Sequence, residues 1–290
     1  MSDAVLHQLL TYLEPSEVDE VTINSTEGLW VFSQGKAHRY QPPFSSADAM
    51  LSWLYEFSAT LKARLDPLLA GNGGALMDGA FRWHCLLPPV ASDGPLFSLR
   101  KNRFTSLNLA DFGDANGELP KIASHFSSRL PLLIAGPTGS GKTSFLAALF
   151  RGSEAAQSER IFCLERIQEL PKLTPHWIRL AHQEENCDGL GGISLEKLLH
   201  ETLRLRPDRM IVGEIRSDEA SVFIRALHTG HGGIVSTIHA GSIEQITHRF
   251  YGDEQWQSAP KILADANTGL VFLERGSPPR IRSFELFRPE

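Results

Sequence analysis

Gly136-Pro137-Thr138-Gly139-Ser140-Gly141-Lys142-Thr143 fits the pattern G-x-x-x-x-G-K-[ST], and it directly follows the apolar run 132–135. No other stretch narrows the possible folds as much. Glycines at these positions let backbone N–H groups converge on phosphate oxygens, and a helix starting at Lys142 would add its positive end. Lys142 would reach the β- and γ-phosphates of a nucleotide, and the Thr143 hydroxyl would sit on Mg²⁺. In 290 residues a chance match is on the order of one in a hundred, and the strand before and helix after lower it further. The eight residues are therefore expected to hold ATP with Mg²⁺ inside an α/β domain.

The chain around the loop agrees. Strands are expected at 161–164, 177–180, 209–212 and 234–238, and helices at 142–151, 194–205, 217–229 and 242–250. Strand–helix alternation of this kind points to a mostly parallel sheet covered by helices. Two strands, 270–274 and 281–286, close the chain. The first hundred residues read as a smaller α+β unit. It has a short helix at 4–13, strands at 21–24 and 29–33, and a long helix at 46–65 with an apolar stripe. A glycine-rich turn at 71–74 and strands at 80–87 and 97–100 follow. The polar segment 102–117 reads as a linker, giving an N-terminal domain at 1–101 and a nucleotide-binding domain at 118–290.

Charge and cysteines exclude several classes. A net charge of −6 gives no bulk attraction for nucleic acid, so no direct nucleic-acid partner is expected. No apolar run reaches the roughly 18 residues of a membrane span, and the first twenty residues are polar and acidic. The three cysteines, Cys85, Cys163 and Cys187, form no Cys-x-x-Cys pair, which argues against a zinc ribbon or a disulfide framework. A cytoplasmic address is expected, with any attachment to the inner membrane made through partners.

Two acids end apolar strands. Glu214 closes Ile211-Val212-Gly213-Glu214, and Glu165 follows the strand at 161–164. At the carboxyl ends of neighbouring parallel strands both would face the ligand crevice, one holding Mg²⁺ through water and the other orienting a nucleophilic water. His231 and His239 flank the strand at 234–238. They read as core or capping histidines, as a metal pair lacking the usual spacing and further ligands, or as sensors of the γ-phosphate. Arg100, Arg204, Arg206 and Arg216 are surface arginines or candidates for neutralising charge in the transition state.

Taken together, these segments resemble the secretion traffic ATPase superfamily, whose members serve type II secretion, type IV pili, type IV secretion and conjugation. Leu164-Glu165-Arg166-Ile167-Gln168-Glu169-Leu170 resembles its acidic box, with Glu165 on the catalytic glutamate. Leu203 to Asp208 and Val212-Gly213-Glu214-Ile215-Arg216 resemble its second nucleotide-binding segment, and 229–240 its histidine box. The N-terminal segments Arg64-Leu65-Asp66, Leu86 to Val90 and Phe97 to Lys101 fit as well. The Arg-Pro-Asp at 206–208, the short N-terminal domain and the missing tetracysteine module suit the conjugation, type IV secretion and tight-adherence branch.

The resemblance implies a RecA-like domain and a homo-hexamer that hydrolyses ATP to drive a secretion, conjugation or pilus machine. It also implies inner-membrane platform proteins as partners. Glu165 is then the water-activating base, and Glu214 and Thr143 serve the metal. His239, Arg216 and Arg100 serve the chemistry, with His231 beside the nucleotide. Arg166 departs from the family, which usually has Asp there; an ion pair from Arg166 would restrain Glu165. A RecA-like nucleic-acid motor and a nucleotide-gated scaffold with weak hydrolysis stand as alternatives.

Overall fold

The structure, a computed structural model, describes residues 2–69, 71–102, 107–185, 189–216, 218–251 and 258–288. Cys187, Ser217 at the start of one expected helix, and 103–106 of the expected linker lie outside them. The chain divides into two compact units. The first holds Met1–Arg103 with Ile167–Pro171 and Glu184–Gly192, and the second holds the remainder.

In the first unit, helix α1 (Ser2–Leu13) precedes β1 (Val18–Asn24), β2 (Gly28–Ser33) and β3 (Lys36–Tyr40). Helix α2 (Ala47–Thr60) leads to β4 (Asn72–Leu76), β5 (Phe81–Leu86) and β6 (Leu96–Lys101). The strands form one antiparallel sheet in the order β3-β2-β1-β6-β5-β4. Its core is aromatic: Trp53, Phe57, Trp83 and Phe97 are almost fully buried and pack ring against ring at 5.1–5.6 Å.

Two expectations change here. Helix α2 is capped by Ser46, whose hydroxyl accepts from Ala49 N–H at 3.1 Å, but it ends at Thr60 instead of 65. Lys62 adopts a left-handed φ of 53°, which the helix cannot continue through. The glycine-rich stretch at 71–74 is largely strand, not turn. Gly74 pairs with Trp83, and a Cβ there would lie 3.0 Å from the indole Nε1. Glycine serves close packing of the Trp83 ring at that position, not a bend.

The second unit begins, among the described residues, with a 3₁₀ turn at Leu109–Asp111 and helix α3 (Leu119–Ser127). Strand β7 (Leu132–Ala135) feeds α4 (Lys142–Gly152), followed by the short α5 (Glu154–Ser158), β8 (Ile161–Glu165) and β9 (Trp177–Ala181). Then come α6 (Leu195–Leu203), β10 (Arg209–Ile215), α7 (Asp218–His228), β11 (Ile234–Ile238), α8 (Ile243–Tyr251) and α9 (Ala259–Asp265). Strands β12 (Gly269–Glu274) and β13 (Arg280–Leu286) finish the fold. The sheet runs β13-β12-β7-β11-β10-β8-β9, parallel except for β13. Strands β7, β8 and β11 are buried at every residue, as parallel strands covered on both faces must be.

Leu133, Phe162, Leu164, Met210 and Val212 join residues of α6, α7, α8 and α9 in one core. Phe126, Phe145, Phe150 and Trp177 are buried too, and Phe150 meets both Phe126 and Trp177 edge to face. From residue 107 onward the segment read as a linker packs on this unit. Arg151 donates to Leu107 O at 2.7 Å, and Gly113 exchanges backbone hydrogen bonds with Pro279 and Ile281.

Candidate functional site

β7 ends at Ala135, and the chain must turn at once into α4. A Cβ on Gly136 would come within 2.6 Å of both Leu273 O and Ser140 Oγ, so only glycine fits the start of the loop. Gly139 and Gly141 take left-handed φ values of 76° and 82°, and Gly141 is the N-cap of α4. Ser140 Oγ is buried without a hydrogen-bond partner at the base of this turn. A glycine-shaped cradle at a helix N-terminus, with Lys142 and Thr143 on the first turn, fits a nucleotide's phosphates and their Mg²⁺.

Lys142 is buried, and its Nζ donates to Gly136 O at 3.0 Å and Pro137 O at 3.1 Å. It also lies 3.2 Å from His239 Nδ1. Burial pushes the Lys142 ammonium down to about 8, against an upward pull from Glu214. On its other side the His239 ring meets Glu214, with Nε2 2.5 Å from Oε1. Glu214 Oε2 accepts from Arg216 Nε at 2.5 Å. Burial lowers the His239 pKa first and the Lys142 charge second, with Glu214 opposing. A neutral ring donating from Nε2 to Glu214 and accepting at Nδ1 from Lys142 satisfies all three groups. The loop's lysine is thus tied to Glu214 through one imidazole.

A register shift in β10 puts Glu214 there. Against β11 the pairing runs Val212↔Ser236 and then Glu214↔Thr237, so Gly213 is the extra residue of a bulge. Two hydroxyls hold it: Ser236 Oγ donates to Val212 O at 2.5 Å and Thr237 Oγ1 to Gly213 O at 3.1 Å. The bare Cα of Gly213 leaves room for Glu165, since a Cβ would lie 3.0 Å from Glu165 Cγ. Glu165 ends β8, the strand beside β10, and is itself buried. The Cys163 thiol hydrogen-bonds to it, and burial, then the Glu165 charge, hold that thiol well above its ordinary range.

The fold therefore gathers Lys142, Thr143, Glu214, Arg216 and His239 at one end of the sheet, with Glu165 across Gly213. One expectation is revised. His231 is not beside the phosphate loop of this chain. Gly232, Gly233 and the whole of β11, itself about 16 Å of strand, separate it from His239. His231 instead lines a cavity of about 370 Å³ with Arg129, Asp208 and Arg209, at the amino ends of β10 and β11. Arg100 belongs to the first unit. Arg204 caps α6, largely exposed and 3.4 Å from Glu201. Arg166 Nε donates to Glu219 at 2.6 Å, so the carboxylate that takes this bond is Glu219.

Three arginines and one acid of this region escaped the sequence. Arg275 donates to Thr138 O at 2.8 Å, Arg282 to Gly241 O at 2.8 Å, and Arg249 to Arg216 O at 3.2 Å. Arg275 and Arg282 border a cavity of about 420 Å³ opening beside Gly136 and Pro137. They stand in a segment whose only signal was alternation of a closing strand pair. The acid is Glu219, on the first turn of α7. Among the described residues no cluster of three or more histidines, cysteines or acids forms a metal centre, and no helix is long and apolar enough to cross a membrane.

Comparison with known proteins adds an independent line. The family described as Type II/IV secretion system protein matches residues 81–252. A putative conjugal transfer protein of Mycobacterium tuberculosis is 33% identical over 239 residues, covering 79% of this chain and 67% of that protein. The conjugal transfer protein TrbB of Rhizobium radiobacter is 29% identical over 295 residues, 97% of this chain and 87% of that one. Among solved structures, the pilus retraction motor PilT with bound ADP superposes with a TM-score of 0.66 at 18% identity, over 98% of this chain and 83% of its own. The likeness to PilT establishes the RecA-like P-loop fold.

Proposed function

Because the chain belongs to the Type II/IV secretion system protein family and carries that superfamily's ATPase fold, we propose that it binds Mg²⁺ and ATP and hydrolyses ATP to ADP and phosphate. We place it in a hexameric ring that works for a conjugation-type secretion or pilus machine, docked on inner-membrane partners. The observation that carries the reading is the linkage Lys142–His239–Glu214 beside the glycine cradle, with Glu165 across the bulge.

The assignment of roles follows from chemistry. Backbone N–H groups within 138–143 and the Lys142 ammonium hold the phosphates. When they do, Lys142 exchanges the carbonyls of Gly136 and Pro137 for phosphate oxygens. The Thr143 hydroxyl and Glu214 would hold Mg²⁺, which when bound would supply positive charge against the phosphates. His239 Nε2 keeps the Glu214 carboxylate aimed at the loop. Glu165 accepts a proton from the attacking water, and its buried setting beside Cys163 keeps it from bulk solvent. Arg216 supplies positive charge beside Glu214, and Arg100 is the arginine that a neighbouring subunit contributes.

Burial of Glu165 also favours a low basal rate that assembly raises, the nearest form of the scaffold alternative. An ATPase assay with and without single-stranded DNA tests the reading. Turnover that needs Mg²⁺ and ignores DNA supports it. Turnover strictly dependent on DNA favours the nucleic-acid motor, and ATP binding with no turnover in an assembled ring favours the scaffold.

A further inference from the structure

Glu219 is a carboxylate only 3% exposed, on the first turn of α7. A buried carboxylate is costly unless its oxygens are bonded, so what bonds it indicates what it holds. One oxygen accepts from Arg166 Nε at 2.6 Å, and the other accepts from the backbone N–H of Arg216 at 3.2 Å. Arg166 is the residue directly after Glu165. Arg216 follows Glu214 by two, and its own Nε bonds the Glu214 carboxylate at 2.5 Å. One buried acid therefore grips both segments that leave β8 and β10 just past the two glutamates. Those strands are neighbours in register, Leu164 beside Val212, so the two grips lie on adjacent strand ends.

On the reading of Glu165 as base and Glu214 as metal partner, we infer that Glu219 is a positioning residue that fixes the spacing of these two carboxylates. Arg166 is its charged counterpart. This gives the departure at Arg166 a use. The arginine spans from the end of β8 to α7, where an acid would face Glu219 with like charge. Arg166→Asp therefore lowers turnover, in contrast to the release expected of a restrained Glu165.

The test uses the full chain, with wild type and Lys142→Ala as reference arms and Glu219→Gln, Arg166→Ala, Arg166→Lys and the double variant Glu219→Gln with Arg166→Ala as probes. Each is measured for kcat, for affinity and stoichiometry of a fluorescent ATP analogue, for the Mg²⁺ concentration giving half-maximal rate, and for thermal midpoint. Glu219→Gln keeps the shape and, with its carbonyl oxygen on Arg216 N–H, that one bond, while it removes the charge and turns the acceptor facing Arg166 into an amide donor. The expected result is a fall in kcat of about tenfold with full stoichiometry and unchanged analogue affinity. The Mg²⁺ requirement rises, Arg166→Lys restores part of what Arg166→Ala loses, and the double variant is no worse than the worse single. Wild-type kcat in Glu219→Gln overturns the inference, as does a loss that merely tracks a falling stoichiometry or thermal midpoint. If wild type has no turnover that Lys142→Ala removes, the ATPase reading itself falls and this inference with it.

Discussion

Lys142 shows how one side chain can be both a structural cost and the contact proposed to matter most for phosphate. Its ammonium is buried and held by two loop carbonyls and a neutral imidazole. Lys142→Ala removes charge-assisted bonds to phosphate worth about 1.5–3 kcal/mol, so ATP affinity falls roughly ten- to hundredfold. Isothermal titration with a non-hydrolysable analogue reads this directly. The nucleotide-free protein carries a second signature. With the folded pKa near 8, below the ordinary lysine value, the unfolded chain binds more protons between about pH 8 and 10.5. The burial penalty is then fully present below pH 8 and is relieved as pH rises. Wild type gains stability relative to Lys142→Met across that window, measured by denaturant unfolding at several pH values. Sequence exposed Lys142, Glu214 and His239 because each sits at a fixed offset from a strand end. Glu219, Arg275 and Arg282 were hidden because they act through partners 53, 137 and 41 residues away.

At the scale of elements, the buried parallel strands were legible and the rest less so. β7, β8, β10 and β11 announce themselves as short apolar runs ending in Gly, Glu or His. β3 is exposed at all five residues and offers no pattern to read. β4 was hidden by glycines that serve the Trp83 ring, and α3 and α9 start with Pro at a first turn, where it is tolerated. The α2 cap is a local device, so Ser46→Ala costs about 1 kcal/mol, read from denaturant unfolding with nucleotide binding unaffected. The β10 bulge is a device of the site. Gly213→Ala drives a methyl against Glu165 Cγ and displaces the carboxylate, so kcat drops about ten- to hundredfold while analogue affinity holds. Equal kcat in that variant shows that Glu165 tolerates the crowding and needs no such fine placement.

The whole molecule is two units, of which the second contains the gathered site residues. In the proposed ring, nucleotide occupancy would be converted into domain motion, and the role proposed for Arg100 would arise only there. Light scattering with Mg²⁺ and an ATP analogue is expected to give a mass near six subunits; a monomer at high concentration contradicts the ring. The account rests most heavily on hydrolysis at this loop by a positioned water, and Glu165→Gln isolates that step. The amide keeps size and burial but cannot take a proton, a role that contributes about a hundredfold or more. The expected outcome is unchanged affinity for Mg²⁺ and ATP with turnover reduced by at least about a hundredfold. Wild-type turnover in Glu165→Gln would contradict the central claim.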